Sequence, residues 1–316
     1  MDAVPWNFVD SVVDLFSVST TLEQLVREVT HPLWKNVVER HHRSRVYYDV
    51  FFRKTVRGMQ HVFVNKADDA STRMIPKNER FARIMTVYDM TAVPQDDPIF
   101  DGVEQLGEEE TGKLLETVAP MIDPVDGGYT TLYSPGLRHP ACGKVLLSSF
   151  LNKVYLRTIK LEYCGQIAQD FLENQINNSP FLYQVALWGK DWPKSCLPLL
   201  RKFALKGIPG KRNAIVTRLE IPASYLQEFF DQWKTNKNPH FNFSFYGGKV
   251  DEFRTLINTA DVSPVCSDSN LSVFKHETQK SMAFISDRSF VEFLICECDR
   301  FENCSLKERY LKYHNF

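Results

Sequence analysis

The residues best equipped for chemistry lie near the C-terminus: Cys296-x-Cys298, Cys304 and His314, three thiols and an imidazole that together make a conceivable zinc donor set. Structural zinc sites usually separate paired cysteines by roughly two to four residues, and here a single residue intervenes. On a strand that spacing turns both sulfurs to one face, beside Phe290 and Leu294. The expectation is therefore core cysteines and no metal. Gly207-Ile-Pro-Gly210-Lys211-Arg212 echoes a phosphate loop without its spacing, and Pro209 removes a donor N–H, so a turn accounts for it. His41-His42 closes a basic helix end, where cations complement the helix dipole. The chain has no G-x-S-x-G elbow, no HExxH and no G-x-G-x-x-G. No cofactor is implied, and an enzyme has no positive support.

A second set of residues suits binding. Three stretches read as apolar-x-apolar-x-Gly: Val185 to Gly189, Phe203 to Gly207 and Phe243 to Gly247, with a longer relative from Ile159 to Gly165. If Ile159, Leu161, Val185, Leu187, Phe203, Leu205, Phe243 and Phe245 face a core, strand alternation sends their neighbours to the other face. Those neighbours are Lys160, Glu162, Gln184, Trp188, Lys202, Lys206, Asn242 and Tyr246. Trp and Tyr among mixed charges suit a protein-binding face, and a solvated face partly covered by loops is the plainer alternative.

The elements that must carry these residues alternate. Period-two patterns predict a hairpin at 46–52 and 61–64 around Arg57-Gly58, and a strand at 84–88. Further strands are expected at 130–133, 154–161, 182–187, 200–205 and 241–245, with a strand-like insert at 215–221. Helices are expected at 108–121, 144–151, 167–176 and 225–233. The acidic run Glu108-Glu109-Glu110 suits a helix start. Strands at 271–274, 282–285 and 290–296 read as a C-terminal cap, residues 262–270 as a loop, and the tail from Lys307 as surface. Strand–turn–helix units of roughly 20–29 residues characterise leucine-rich repeats. The step from Leu161 to Leu187 falls within that range, but the step from Leu187 to Leu205 is too short for it, so the array is expected to be irregular. The fold class is mixed α/β.

At 316 residues the chain exceeds one ordinary core, and 43% apolar with 24% charged residues argues against disorder. A net charge of −1 removes any bulk attraction to nucleic acid or membranes. No apolar run is long enough to span a bilayer, and the N-terminus lacks a basic signal region. Seven irregularly spaced cysteines suit a reducing compartment, which makes the Asn-x-Ser matches at Asn177, Asn242, Asn270 and Asn303 fortuitous. The expected location is cytoplasm or nucleus, not the secretory route.

The N-terminus is more telling. Val4 to Val38 reads as three short amphipathic helices. Pro5 suits a first helical position. On a wheel, Trp6, Phe8, Val9, Val12, Val13, Leu15 and Phe16 cover about 180°, more than the roughly 100° that packing within a domain needs. Thr20 and Glu23 have capping-box spacing, and Leu22, Leu25, Val26 and Val29 share a face. Leu33, Trp34, Val37 and Val38 line the third helix. Val4-Pro5, Val9, Val12, Val13, Leu22, Leu25 and Trp34 with Val37 resemble an F-box, with Val4 where the pattern has Leu. The chain as a whole is similar to nematode-expanded F-box-like proteins with an irregular leucine-rich-repeat-like C-terminal domain. An ordinary helical subdomain packed on the rest is the alternative.

That resemblance implies an F-box-like subdomain at 1–42 and a β-rich entry segment plus repeat-like domain at 43–316. It also implies docking of Pro5, Val9, Val12, Val13, Leu22, Leu25 and Trp34 on the adaptor subunit of a cullin–RING ubiquitin ligase, with the strand face holding an unknown protein target. Two other readings stand beside it. One is a repeat-like scaffold whose F-box is vestigial, with Phe8, Val12 and Leu15 covered by their own chain. The other is an enzyme, which a deep pocket with convergent titratable groups would revive.

Overall fold

The N-terminal helices form where apolar spacing places them. α1 (Trp6–Asp14) starts one residue later than expected, because Pro5 has an extended backbone, ψ 144°, and acts as the cap. α2 (Glu23–Glu28) is brief, and α3 (Pro32–Ser44) opens on a proline, whose missing N–H has no helical partner to lose. Val9 and Val13 of α1, Leu22, and Val37 and Val38 of α3 bury one another. A computed structural model of the chain describes residues 4–17, 21–72, 74–75, 79–91, 97–132, 141–189, 191–206, 212–235, 240–245, 266–268, 271–286, 290–300 and 304–315. Thr20, Gly207 to Lys211, Tyr246, Gly247 and most of the expected 262–270 loop lie outside them.

The fold is mixed α/β and divides into two units, Met1–Leu182 and Tyr183–Phe316, with all three N-terminal helices in the first. In that unit β1 (Val46–Lys54) and β2 (Met59–Asn65) make the expected hairpin, running from Tyr48 opposite Asn65 to Lys54 opposite Met59. β3 (Ser71–Thr72) adds to β2. β4 (Ala82–Asp89) lies parallel to β1, β5 (Gly128–Thr131) to β4, and β6 (Thr158–Glu162) to β5. Parallel neighbours need crossovers, which α4 (Glu108–Val118) and α5 (Ala141–Phe150) supply. These helices pack in a row with α6 (Gln166–Asn178), over buried Val50, Phe52, Ile84, Tyr129, Ile159 and Leu161.

The second unit repeats the device. β7 (Gln184–Trp188), β8 (Asn213–Thr217) and β9 (Phe241–Phe245) are parallel neighbours, connected through α7 (Leu197–Lys206) and α8 (Ala223–Lys234). Residues 200–205, expected as a strand, are therefore helix. Leu197, Leu200, Phe203 and Ala204 are buried at helical spacing, and no β-branched residue occurs between Leu197 and Lys206. A helical period sustained along the whole of α7 outweighs a brief alternation at Phe203-Ala-Leu205. The expected insert at 215–221 is instead β8, a full member of the sheet. Leu187, Thr217 and Phe245 stand opposite one another and are almost evenly spaced along the chain, so the expected short unit disappears. Glycine is needed after β6 and β7: Gly165 has φ 109° and Gly189 φ 82°, a region closed to most side chains.

Beyond β9 the sheet turns antiparallel. β13 (Phe290–Ile295) pairs with β9, β12 (Ser281–Ser286) with β13, β11 (Leu271–Lys275) with β12, and β10 (Cys266–Asp268) with β11. One face meets α8, where Phe229 and Phe241 centroids lie 4.9 Å apart and Phe230 and Phe274 5.2 Å. The opposite face is covered by the C-terminal segment, with α9 (Ser305–Arg309). Leu306 joins Val273, Met282, Phe284 and Leu294 in one cluster, and Tyr310 stacks on Phe284 at 3.8 Å. Both faces being covered, all six residues of β12 are buried. The tail from Lys307 thus packs on the sheet, contrary to its polar composition.

At the margin of that cover stands Glu292, on β13, with its side chain 0% exposed. Oε1 accepts from Arg212 and Arg309, and Oε2 accepts from the Tyr310 hydroxyl at 2.8 Å. The two arginines remain 26% and 42% exposed. Replacing both by Ala should strand a buried carboxylate and cost roughly 3–5 kcal/mol. Glu292→Gln should cost less, because its former partners return to water. Urea unfolding of the full chain distinguishes the two; equal losses would mean that carboxylate burial is not the controlling cost.

Candidate functional site

Around α1 the residues fall into three sectors. Val9 and Val13 face inward and are fully buried against α3. Asp10 and Asp14 face His41 of α3, Arg45 just after it, and Arg80 and Arg83 around the start of β4. His41 Nε2 lies 3.0 Å from Asp10 Oδ1, and Arg80 donates to Asp10, Arg83 to Asp14. Arg45 donates to the carbonyls of Phe16 and Val13, both at 2.8 Å, which places a cation on the C-terminal end of α1. The third sector is apolar and open: Phe8 is 55% exposed and Leu15 54%, with half-buried Val12 between them along the helix. Trp6, 37% exposed, sits at the helix start.

The wide apolar arc is therefore split, part spent on the subdomain and part facing solvent. Of the residues expected to dock on a partner, Val9, Val13 and Leu22 lie buried in the subdomain's own core. Leu25 and Trp34 are half-buried against that same cluster. Phe8 and the C-capping Leu15 are the freely exposed apolar residues of the stripe. Among the expected site residues only Val12 shares it.

His41 is buried beside Arg45, whose Nη2 lies 3.2 Å from Nδ1, and its pKa falls from the ordinary 6.5 to about 4 through burial first and the Arg45 charge second. A neutral ring with Nε2–H donating to Asp10 and Nδ1 accepting from Arg45 satisfies both contacts. His41 is thus an internal strut, a role its place in a basic helix end did not suggest. His42 is exposed.

The expected strand face is only partly assembled. Lys160 and Glu162 project from β6 opposite buried Ile159 and Leu161, in the first unit. In the second unit, register puts Gln184 beside Ala214 and Asn242, with Trp188 at the end of β7. Arg218 lies over the Trp188 ring at 5.4 Å, and Ser244 donates to Asn242 Oδ1 at 2.9 Å. Lys202 and Lys206 do not belong to this face: they are exposed on α7. Ala214 and Val216 of β8 stand where strand residues were expected from 200–205. The row continues onto β13 at Glu292, opposite Asn242, which nothing in the local sequence marks as buried.

The first unit holds cavities among its described residues. One of about 540 Å³ is lined by His61, Phe63, Met74, Leu106, Leu114 and Met121 and is largely apolar. Another, about 670 Å³, includes Asp14, Arg80, Arg83, Lys153 and Tyr155, but Arg83 there already pairs with Asp14.

The C-terminal thiols converge. Cys296, Cys298, Cys304 and His314 bring one donor atom each within 4.8 Å of one another. Cys296 follows β13, Cys304 caps α9, and His314 follows the last turn at Leu311–Tyr313. Cys304 is buried, but Cys296 is half-buried and Cys298 exposed, so the expectation of plain core cysteines fails. Residues 297–300 leave the strand and form a turn, which removes the alternation on which that expectation rested.

No family model, curated protein or solved structure matches this chain. The site is thus read from its own geometry. No helix among the described residues is long and apolar enough to cross a membrane.

A buried neutral histidine has a pH signature. Its folded pKa lies below its unfolded one, so the unfolded chain takes up the proton first as pH falls. His240, lowered to about 4 by burial, behaves alike in the second unit. Stability should be insensitive to these groups above about pH 6.5 and decline as pH drops toward 4, by of order 2–3 kcal/mol per histidine. Urea midpoints across that range should fall more steeply for the native chain than for His41→Gln. Parallel slopes would exclude His41 as a source.

Proposed function

We propose that the chain is a non-catalytic protein–protein recognition module. In this reading α1, α2 and α3 form an F-box-like unit that docks on the adaptor subunit of a cullin–RING ubiquitin ligase. The strand–helix units that follow act as a leucine-rich-repeat-like domain presenting an unidentified protein target. The protein would work in the cytoplasm or nucleus and contribute proximity, holding the target where a ubiquitin-charged partner can reach it.

The observation that carries the reading is the open stripe of Phe8, Val12 and Leu15 on a helix otherwise fixed by valines and ion pairs. Large exposed side chains on a rigid helix bind with little further loss of freedom, and such a stripe suits a helix-in-groove partner. The near-even spacing of Leu187, Thr217 and Phe245, which stand opposite one another in the sheet, supports the repeat-like part. A second reading, a repeat-like scaffold with a vestigial F-box, draws on the burial of Val9, Val13 and Leu22 within the subdomain. That burial removes three motif residues from any partner surface.

The test is capture of the purified adaptor subunit by the full chain. Phe8→Asp with Leu15→Asp should weaken capture at least about thirtyfold, the scale of an interface hot spot. Thermal unfolding should hardly move, since both positions are exposed. Changes at Val9 or Val13 would not discriminate, because they would also unfold the helices. A folded chain that captures no adaptor would leave the scaffold reading.

A further inference from the structure

We propose that Cys296, Cys298, Cys304 and His314 bind one structural zinc ion that clasps the C-terminal segment to the end of β13. The geometry is that of four ligands around a common centre. His314 Nε2 lies 3.1 Å from Cys296 Sγ, 3.3 Å from Cys298 Sγ and 3.8 Å from Cys304 Sγ. A single ring nitrogen carries either one proton or one lone pair, so it can share a hydrogen bond with one thiol, not three. A metal ion at the centre satisfies all four donors together. With Zn–S about 2.3 Å and Zn–N about 2.0–2.1 Å, a tetrahedron has N···S edges of about 3.6 Å and S···S edges of about 3.8 Å. The observed N···S distances straddle that value, and the full set spans no more than 4.8 Å. An iron–sulfur cluster would need its ligands farther apart.

The donor chemistry agrees. Three thiolates and an imidazole make a soft, borderline set that suits zinc, and four protein ligands leave no position for a substrate, which marks a structural site. Binding is an acid–base exchange without redox: three thiols release three protons, and Zn²⁺ with three thiolates and a neutral imidazole leaves a centre of charge −1. The ligands come from two places that need joining. Cys296 and Cys298 continue from β13, while Cys304 and His314 bracket α9 and the following turn. The bracketed segment lays Leu306, Tyr310 and Tyr313 over Phe284 and its neighbours. A helix as short as α9 cannot persist alone. Cys298 is exposed, which gives the ion a route in, whereas Cys164 and Cys196 are buried outside the set.

The test reads metal and is independent of any adaptor or target. The full chain, purified without chelator under reducing conditions, should carry about one zinc per chain by elemental analysis. Cobalt substitution should give thiolate-to-metal charge-transfer absorption and the intense visible bands of a tetrahedral site. Cys298→Ser, at an exposed position, and His314→Gln should each weaken zinc binding at least about a hundredfold. Cys164→Ala should retain the metal. Stripping zinc should speed tryptic cleavage at Lys307, Arg309 and Lys312. A metal-free native chain, equal loading of Cys298→Ser and the native chain, or a disulfide among Cys296, Cys298 and Cys304 after reducing purification would overturn the assignment.

Discussion

Parallel strand pairing is the constraint on which most of this architecture depends. Each parallel neighbour must be reached by a crossover; β1 reaches β4 through β2 and β3, and the crossovers from β4 to β5, β5 to β6, β7 to β8 and β8 to β9 each carry a helix that covers one face. The other face is left to side chains that tolerate water: Lys160 and Glu162 on β6, Gln184 on β7, Asn242 and Ser244 on β9. That face turns apolar in two places: on β1 and β4, where Phe51 and Tyr88 stack under Ile99 and Phe100, and in the antiparallel C-terminal strands, with Phe284, Leu294 and Val273, where the chain supplies a second cover from its own end. The C-terminal segment is that cover. Glu292 marks the boundary between the two regimes. It shares a row with Asn242, yet lies under Arg309 and Tyr310.

The same economy of faces governs α1. A short helix can be held by apolar contact, by charge, or by both, and here each takes one sector. The valines set its depth against α3, and Asp10 and Asp14 fix its rotation through His41, Arg45, Arg80 and Arg83. Charge pairs contribute modest net stability after desolvation, but an unmatched rotation would take Asp10 away from Arg80 and His41 and leave the buried Arg45 and Arg83 short of partners. The rotation that satisfies them turns Phe8 and Leu15 outward. Exposure of that stripe is therefore a consequence of the polar network.

Much of this was legible in the sequence because it rests on local periodicity. The hairpin around Arg57-Gly58, the acidic start of α4 and the alternation in β6 and β9 all follow from residue type and spacing. One failure came from a short pattern outvoted by a longer one. Phe203-Ala-Leu205 alternates, but Leu197, Leu200, Phe203 and Ala204 set the helical period, and misreading them moved Lys202 and Lys206 onto the wrong surface. Residues paired across long separations left no such trace. Arg212 meets Glu292, Arg83 meets Asp14, and Cys296 meets His314 only because the fold returns on itself. The four metal-binding candidates were visible as residue types, but C-x-C looked like a strand, and the turn after Ile295 is what lets the two sulfurs converge.

The C-terminal segment shows why convergence at its two ends matters more than its helix. α9 has five residues, followed by one tight turn, too few backbone hydrogen bonds to offset the entropy of ordering them. Its docking must therefore come from tertiary contacts: Leu306 and the Tyr310–Phe284 stack at the centre, the Glu292 pairs on one side, and Cys304 with His314 at the two ends. A ligand joining both ends to the turn after β13 restricts the undocked segment far more than any single contact. It acts on the unfolded ensemble as well as the folded one, as a cross-link does. Without such a tie the apolar face of β12 and β13 would be covered only through those side-chain contacts. An intermittently bare sheet face is an association hazard, and closing it is reason enough for three cysteines and a histidine to be gathered there.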